Sequence, residues 1–352
     1  MNAHTNAKPR TVACNATRHI TMIKLYLDWN VITTLRQTES LTNNDDIITF
    51  ETLINVINSA RDKLIIPYSN GHLNDLLKSY KKGERERVEQ SLKFISLLTQ
   101  DVCLTQYWNE EFAKWHHRNP EEYFDMLIEN ENGVNTSGLE SILEPLREYG
   151  LDKMFDMFKF LPHNINFEQM EQHNSSFSNF FKRARFDNSL YAVMEDFVDL
   201  TNEMKTNPVV YNELRSVFKT SIPLDPNIHN VENVVEMLDK TMPKTMLNKS
   251  FTELYEDTTK TETSKNKDYS KIIGTFMQLD FVGYGSDKLT EKNQYDNLFN
   301  DALHCFYGAH CDFFITADKK TYKKTKAVYQ SENISTQVMK PKEFIDFLTQ
   351  AP

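Results

Sequence analysis

Two short apolar runs near opposite ends of the chain each lead directly into an aspartate. The first is Ile23–Leu27 before Asp28, and the second is the segment 312–317 (DFFITA) before Asp318. Runs of this length, rich in β-branched and aromatic residues, indicate buried β-strands. A sheet that takes strands from both ends requires the two ends to fold together, whatever lies between them.

Helix and strand patterns alternate after the first run. Apolar residues at helical spacing predict an amphipathic helix over 46–61. The run 63–68 predicts a second strand, and Ser69 is placed to cap a following helix that carries Asp75. This order, with short links, is typical of a parallel sheet with helices on both faces. We therefore expect a three-layer αβα domain around a parallel central sheet.

The chain divides into four segments by composition. Residues 1–21 contain no acidic residue and few apolar ones, and are expected to form a disordered tail. Residues 22–83 and 269–352 carry the alternating patterns and are expected to form one α/β domain. Residues 84–268 show repeated helical spacing and are predicted to be an all-helical insertion. Its last part, 256–268, has no apolar residue and is expected to be a loop.

Composition excludes several classes of protein. Nine glycines in 352 residues disfavour β-sandwiches, propellers and glycine-rich phosphate loops. No apolar run approaches the roughly 18 residues of a membrane span, and four scattered cysteines do not form a disulfide framework, so a cytoplasmic protein without membrane contact is expected. A net charge of −10 argues against a general nucleic-acid coat but leaves room for a basic patch beside an acidic metal site.

Four aspartates are candidates for a common site. Asp28 and Asp318 follow strands, and the carboxyl edge of a parallel sheet is where sites form. Asp75 and Asp301 are expected on helices near that edge. Singly, each has a structural explanation, such as a helix cap, a surface position or a turn. Together, four carboxylates repel one another unless they are protonated, separated by water or neutralised by a cation, and Mg²⁺ or Mn²⁺ is the natural partner.

Five short blocks of this sequence resemble those of the PIN-domain ribonucleases. Each block lies on the element where the family carries it, in the family's order. They are 25–32 (LYLDWNVI), 66–69 (IPYS) with Asp75 after it, 300–304 (NDALH), 314–319 (FITADK) and 338–344 (VMKPKEF). The resemblance covers about 23–80 and 269–350, fewer than half of the residues.

The resemblance implies a metal-dependent endoribonuclease. Asp28, Asp75, Asp301 and Asp318 would hold Mg²⁺ or Mn²⁺ and use a metal-activated water to cleave RNA phosphodiester bonds. Asn30 and Thr316 would orient these acids through hydrogen bonds. Two departures are that the second acid is Asp where small members usually carry Glu, and that 84–268 interrupts the domain.

Further residues are candidates for substrate contact. Lys319, Lys320 and Lys323 directly follow the fourth acid and are placed to contact a phosphate backbone, while Tyr322 is placed to stack on a base. The alternative for this stretch is a solvated lysine-rich loop. His304, one turn after the third acid, is expected either to contact a phosphate or an acid or to pack in the core.

Two other functions compete with the endoribonuclease. One is a catalytically inert PIN-like module that binds a partner through its helical insertion. The other is a single-strand DNA nuclease, which has the same metal chemistry, since no reader of a ribose 2′-hydroxyl is identifiable. The insertion is also the expected contact surface for a protein partner or for a second copy of the chain.

Overall fold

The computed structural model describes most of the chain outside the N-terminal segment and part of the predicted insertion. The described residues are 22–107, 110, 112–131, 157–173, 175–221, 228, 231–244, 249–253, 267–286, 288–291 and 294–350. The predicted tail 1–21 and nearly all of the predicted loop 256–268 lie outside them. Among the helices that are described, none combines the length and the apolar character needed to cross a membrane.

The described residues form seven strands and thirteen α-helices. The strands are β1 (Ile23–Leu27), β2 (Leu64–Ile65), β3 (Tyr68–Ser69), β4 (Val102–Thr105), β5 (Lys114–His117), β6 (Phe313–Ile315) and β7 (Gln337–Met339). The helices are α1 (Trp29–Arg36), α2 (Asn44–Ser59), α3 (Asn70–Lys81), α4 (Arg85–Thr99), α5 (Pro120–Glu131), α6 (Phe167–His173), α7 (Leu190–Thr206), α8 (Pro208–Ser221), α9 (Val234–Thr241), α10 (Lys267–Phe281), α11 (Tyr295–Gly308), α12 (Lys319–Ser331) and α13 (Pro341–Gln350).

The central sheet is parallel, and its first strand lies inside it. Its order is β2-β1-β6-β7, and β1 pairs with β6 through the registers Leu25 to Phe313 and Leu27 to Ile315. A second sheet has the order β3-β4-β5, with β3 parallel to β4 and β5 antiparallel. Since the chain goes from β1 to β2 on one side and returns as β6 on the other, the boundary between β1 and β6 is the topological switch point.

Successive residues of β1 enter two different cores. Leu25 and Leu27 belong to an apolar cluster with side chains of α1, α2, α3, α4 and α13. Tyr26 points to the opposite face and belongs to a cluster with side chains of α10, α11 and α12. This alternation is what the pleat of a strand buried on both faces produces. The prediction of an α/β fold with a parallel sheet covered by helices is confirmed.

The second predicted strand, 63–68, is two short strands. β2 pairs with β1, whereas β3 pairs with β4 in the other sheet. Pro67 lies between them and has no N–H group to donate to a neighbouring strand, which explains why the pairing changes there.

The prediction that 84–268 is all-helical is wrong. β4 and β5 lie inside this segment, and β4 pairs with β3. Cys103 and Leu104 of β4 are fully buried in the two different cores, so the strand has no exposed face and lacks the polar–apolar alternation that marks a strand in a sequence. Apolar residues of α4 also pack in the same core as β1, so residue 83 does not end the first part of the α/β domain.

Candidate active site

Asp28 and Asp318 both lie at the carboxyl edge of the sheet, on either side of the switch point. Each is the N-cap of the helix that follows its strand. Asp28 is buried and accepts a 2.7 Å hydrogen bond from the backbone N–H of Trp29. Asp318 is exposed, and its Oδ1 accepts hydrogen bonds from the N–H groups of Lys320 and Thr321 at 2.8 and 2.7 Å. Both acids therefore cap a helix, which was the structural explanation offered for Asp28. This role does not separate them, because both lie at the same edge of the sheet.

Asn30 and Thr316 bridge the two central strands beside Asp28. Oδ2 of Asp28 accepts hydrogen bonds from Oγ1 of Thr316 at 2.6 Å and from Nδ2 of Asn30 at 2.5 Å. Asn30 also accepts a 3.0 Å hydrogen bond from the N–H of Ala317. Asn30, in the first turn of α1, and Thr316, directly after β6, therefore fix the orientation of one carboxylate.

Asp75 is held by three donors. Its Oδ1 accepts hydrogen bonds from Asn300 at 2.9 Å and from Lys78 at 3.4 Å, and its Oδ2 lies 3.1 Å from Nε2 of His304. The same His304 nitrogen is 3.9 Å from Oδ1 of Asp28. Burial by itself raises the pKa of Asp75, but the contacts with His304 and Lys78 outweigh it and lower that pKa. His304 thus connects the first two acids.

A buried polar chain lies beneath these acids. The Tyr26 hydroxyl lies 2.8 Å from Nδ1 of His304 and 2.7 Å from Oγ of Ser69. Ser69 caps α3, and its N–H donates to Nδ1 of His72 at 3.0 Å, while Nε2 of His72 lies 2.8 Å from the carbonyl oxygen of Leu27. All four side chains of this chain are at most 1% exposed, so the network fixes His304 from below.

Gly71 permits this approach of α3 to His304. A Cβ atom at this position would lie 3.0 Å from Cε1 and 3.1 Å from Nδ1 of the imidazole ring. Any side chain larger than hydrogen would therefore push the ring away from Asp75 or Tyr26.

Asp301 lies in a cavity of about 440 Å³, which Asp318, Lys320 and Lys324 also line. Burial and the negative charges of Asp28, Asp75 and Asp318 raise the pKa of Asp301 to about 7, although Lys324 opposes this shift. Among the described residues, no donor forms a hydrogen bond with its carboxylate. The structure therefore brings the four predicted acids together and leaves Asp301 with little compensation for its charge.

The predicted basic residues lie on a helix rather than in a loop. Lys319 and Lys323 are exposed one turn apart on α12, whereas Lys320 lines the cavity. The ring of Tyr322 lies 5.2 and 5.3 Å from the ammonium groups of Lys326 and Lys340, and its hydroxyl donates to Glu343 at 3.4 Å. Asp318, at the N-cap, is the reason that the helix starts directly after β6.

Several residues of the site were not predicted from the sequence. They are Tyr26, Ser69, His72, Lys78, Asp280, Asn300 and Lys324. One signal was present: Asn297, Asn300 and His304 recur at helical spacing on α11, whose remaining residues are mostly apolar, which indicates a polar stripe facing a partner. Asp280 had no such signal, and the sequence showed Lys324 only as one of five lysines in the stretch 319–326, because the contacts of both residues join positions far apart in sequence.

The donor set suits a hard divalent cation in its chemistry. Carboxylate oxygens are the ligands that Mg²⁺ and Mn²⁺ prefer, and Asp301 and Oδ2 of Asp318 accept no hydrogen bond from a described residue. Within the described ranges, no group of three or more His, Cys, Asp or Glu side chains is placed closely enough to hold a metal ion as it stands. Asp301, Asp318 and Asp28 are the residues that would supply oxygen ligands.

Comparisons with known proteins give no match: no family model, no curated protein and no solved structure is matched by this chain. What is established is therefore the class of architecture, an α/β protein with a four-stranded parallel sheet and an acidic cavity at its switch point.

Proposed function

We propose that this protein is a PIN-like, metal-dependent endoribonuclease that hydrolyses RNA phosphodiester bonds in the acidic cavity. The observation that carries the proposal is the convergence of Asp28, Asp75, Asp301 and Asp318 on one site at the switch point, where burial and, after it, the charges of the other three acids raise the pKa of Asp301 to about 7. Four of the five blocks that resemble those of PIN-domain ribonucleases carry these acids or precede them.

The residues of the site have distinct roles in this proposal. Asp28, Asp301 and Asp318 would bind Mg²⁺ or Mn²⁺, which lowers the pKa of a water molecule and stabilises the leaving oxygen. Asn30 and Thr316 hold the Asp28 carboxylate in one orientation. Asp75 lies 3.1 Å from Nε2 of His304, and its main role would be to orient that ring.

The inert alternative is less well supported than the enzyme. A carboxylate whose pKa lies about three units above its ordinary value of 3.8 destabilises the folded state at neutral pH by an amount of order 1 kcal/mol or more. An interaction module that binds through its insertion has no need of such a cluster. Clustered, poorly compensated acids are typical of catalytic sites.

The test is a cleavage assay on pools of single-stranded RNA and DNA with Mg²⁺, Mn²⁺ or EDTA. We expect RNA cleavage that requires the metal and that is lost in Asp301→Asn. The matched control is Asp62→Asn, which removes one exposed carboxylate beside the opposite edge of the sheet and should cleave like the wild type.

Four outcomes would contradict the proposal. Cleavage of neither pool would favour the inert module, and cleavage of DNA alone would favour the single-strand DNA nuclease. Cleavage that survives in EDTA would show that the reaction does not need the metal. Cleavage that survives in Asp301→Asn would show that the acidic cavity is not the site of the reaction.

A further inference from the structure

One wall of the acidic cavity is held by a helix of the segment that the sequence analysis assigned to an insertion. Asp280, near the end of α10, lines the cavity and is only 2% exposed. Its Oδ2 accepts a 2.6 Å hydrogen bond from the hydroxyl of Tyr211 and lies 3.3 Å from Nη1 of Arg215, both on α8. The carboxylate is therefore fixed from outside the part of the chain that resembles the nucleases.

The other oxygen of Asp280 contacts a buried lysine. Nζ of Lys324 lies 3.3 Å from Oδ1 of Asp280 and 4.4 Å from the centroid of the Phe276 ring. Lys324 is 3% exposed and lines the same cavity as Asp301. A lysine is seldom buried to this extent unless it is paired, because its ammonium group loses its hydration, and Asp280 supplies the paired carboxylate here.

The charges of this wall do not cancel. Arg215 and Lys324 supply two positive charges to the single carboxylate of Asp280. Lys324 is the one of these two cations that lines the cavity, where its charge also acts on Asp301. It lies in the same cavity as Asp301 and Asp318, in the place where a phosphodiester would need a positive charge to approach these carboxylates.

The same helix fixes a second point of the wall. Asn212 of α8 accepts a 3.2 Å hydrogen bond from the N–H of Leu289 and donates a 2.8 Å hydrogen bond to its carbonyl oxygen. Leu289 lines the cavity beside Asp280. Two consecutive residues of α8, Tyr211 and Asn212, thus hold two separate residues of the cavity wall.

We propose that Lys324 binds a non-bridging phosphate oxygen of the RNA strand in the cavity, and that α8 positions it through Tyr211, Arg215 and Asp280. This assignment rests on the proposed function, since it takes the cavity as the RNA-binding site. Lys324 is then a substrate-binding residue. Tyr211 positions it through Asp280, and Asn212 positions the adjacent part of the cavity wall through Leu289. A lysine suits this role as a compact point charge that needs no bidentate geometry.

The test measures binding of a fluorescein-labelled U10 oligonucleotide by anisotropy, with Ca²⁺ in place of Mg²⁺ and over a series of KCl concentrations. Lys324→Met should weaken binding about 10- to 100-fold, the range for one hydrogen bond to a charged group. It should also reduce the slope of log Kd against log[KCl] by about 0.7, the value for one phosphate contact on a single strand. Lys324→Arg should restore most of the slope.

The positioning residues and the controls separate this role from a general loss of structure. Tyr211→Phe and Asn212→Ala should weaken U10 binding by a smaller factor, while Ser216→Ala, an exposed change on the same helix, should not. Lys271→Met removes a positive charge outside the cavity, where Lys271 pairs with Glu332, and should leave the affinity unchanged. The Mn²⁺-induced increase in Tm should persist in every variant.

U10 binding by Lys324→Met with wild-type affinity and salt slope would overturn the assignment. The assignment would also be overturned if Tyr211→Phe and Lys324→Arg lost both U10 binding and the Mn²⁺-induced increase in Tm, because Lys324 and α8 would then be structural. Failure of the proposed function is distinguishable, since it appears in the wild type as an absence of metal-dependent cleavage, whereas U10 affinity is measured without turnover.

Discussion

Oγ1 of Thr316 donates a 2.6 Å hydrogen bond to Oδ2 of Asp28, and this contact joins residues 288 positions apart in the chain. Thr316 is fully buried, and its hydroxyl also accepts a 3.1 Å hydrogen bond from the N–H of Asp318. A single side chain therefore links the acids that follow the two central strands. The geometry of the cavity depends on β1 and β6 staying in register.

Replacing Thr316 by Val should destabilise the protein by about 1–3 kcal/mol, because a buried carboxylate loses a donor while the shape of the side chain is kept. Urea denaturation gives the change in the free energy of unfolding. Thr316→Ser keeps the hydroxyl and should recover most of the loss. Equal stability of the Val and Ser variants would show that the hydrogen bond to Asp28 contributes little.

Asp301→Asn should stabilise the metal-free protein at pH 8 while removing cleavage. The pKa of Asp301 is raised from 3.8 to about 7, so the folded state binds this proton more tightly, and wild-type stability falls as the pH rises from about 4 to about 7. With Asp301 partly exposed, we expect a gain of about 2 kcal/mol at pH 8 and little difference near pH 4. Thermal melts of both proteins in EDTA from pH 4 to pH 8 measure this difference in stability. A difference between Asp301→Asn and the wild type that stays constant with pH would contradict the prediction.

Asp28→Asn should not show the same gain, although the pKa of Asp28 is also raised, chiefly by burial. Its two oxygens accept hydrogen bonds from Trp29, Asn30 and Thr316. An amide has only one oxygen, so its NH₂ group would face one of these donors. We expect Asp28→Asn to melt at or below the wild-type temperature at pH 8 in EDTA. A stabilisation equal to that of Asp301→Asn would show that the contacts to Asp28 are weak.

His304 and His72 should affect stability with opposite pH dependences. Burial lowers the pKa of His304, but Asp75 and Asp28 raise it by more than burial lowers it, so this pKa lies above 6.5. The stabilisation from the charged form of His304 is therefore complete below pH 6.5 and is lost as the pH rises through the raised pKa. Burial, aided by the charge of His304, lowers the pKa of His72 to about 3, so the wild type loses stability as the pH falls from 6.5.

The measurement is the difference in Tm between each variant and the wild type at several pH values in EDTA. For His304→Asn the deficit should be larger at pH 6 than at pH 9, and for His72→Asn it should be larger at pH 8 than at pH 5. Parallel pH profiles for the two variants would mean that the histidines do not differ in protonation as described.

The exposed lysines of α12 should act on RNA binding alone. Lys319→Ala combined with Lys323→Ala should reduce the salt slope of U10 binding by up to about 1.4, the value for two phosphate contacts. Because both lysines are exposed and lie outside the lining of the acidic cavity, the Mn²⁺-induced Tm increase should be unchanged. Lys82→Ala with Lys93→Ala, two exposed positions outside the cavity, is the matched control. Equal slopes for the two double variants would exclude α12 from the RNA path.

By itself the sequence determined the local order of strands and helices and the position of acids at strand ends. The run before Asp28, the cap at Ser69 and the run before Asp318 are readable because each signal spans a few neighbouring residues. Only the tertiary structure showed that β4 is a strand of the second sheet, because Cys103 and Leu104 are buried on opposite faces and have no periodicity of their own.

The same distinction applies to the acidic cavity. The four acids were predicted, but the contacts that orient them were not. Tyr26 lies 278 residues from His304, and Tyr211 lies 69 residues from Asp280. Such pairs meet only when the sheet closes and the helices pack, since hydrogen bonds between buried side chains depend on distances in space and leave no regular spacing in the chain. That is why the sequence located the acids, whereas the tertiary structure alone decided which cations and hydroxyls surround them.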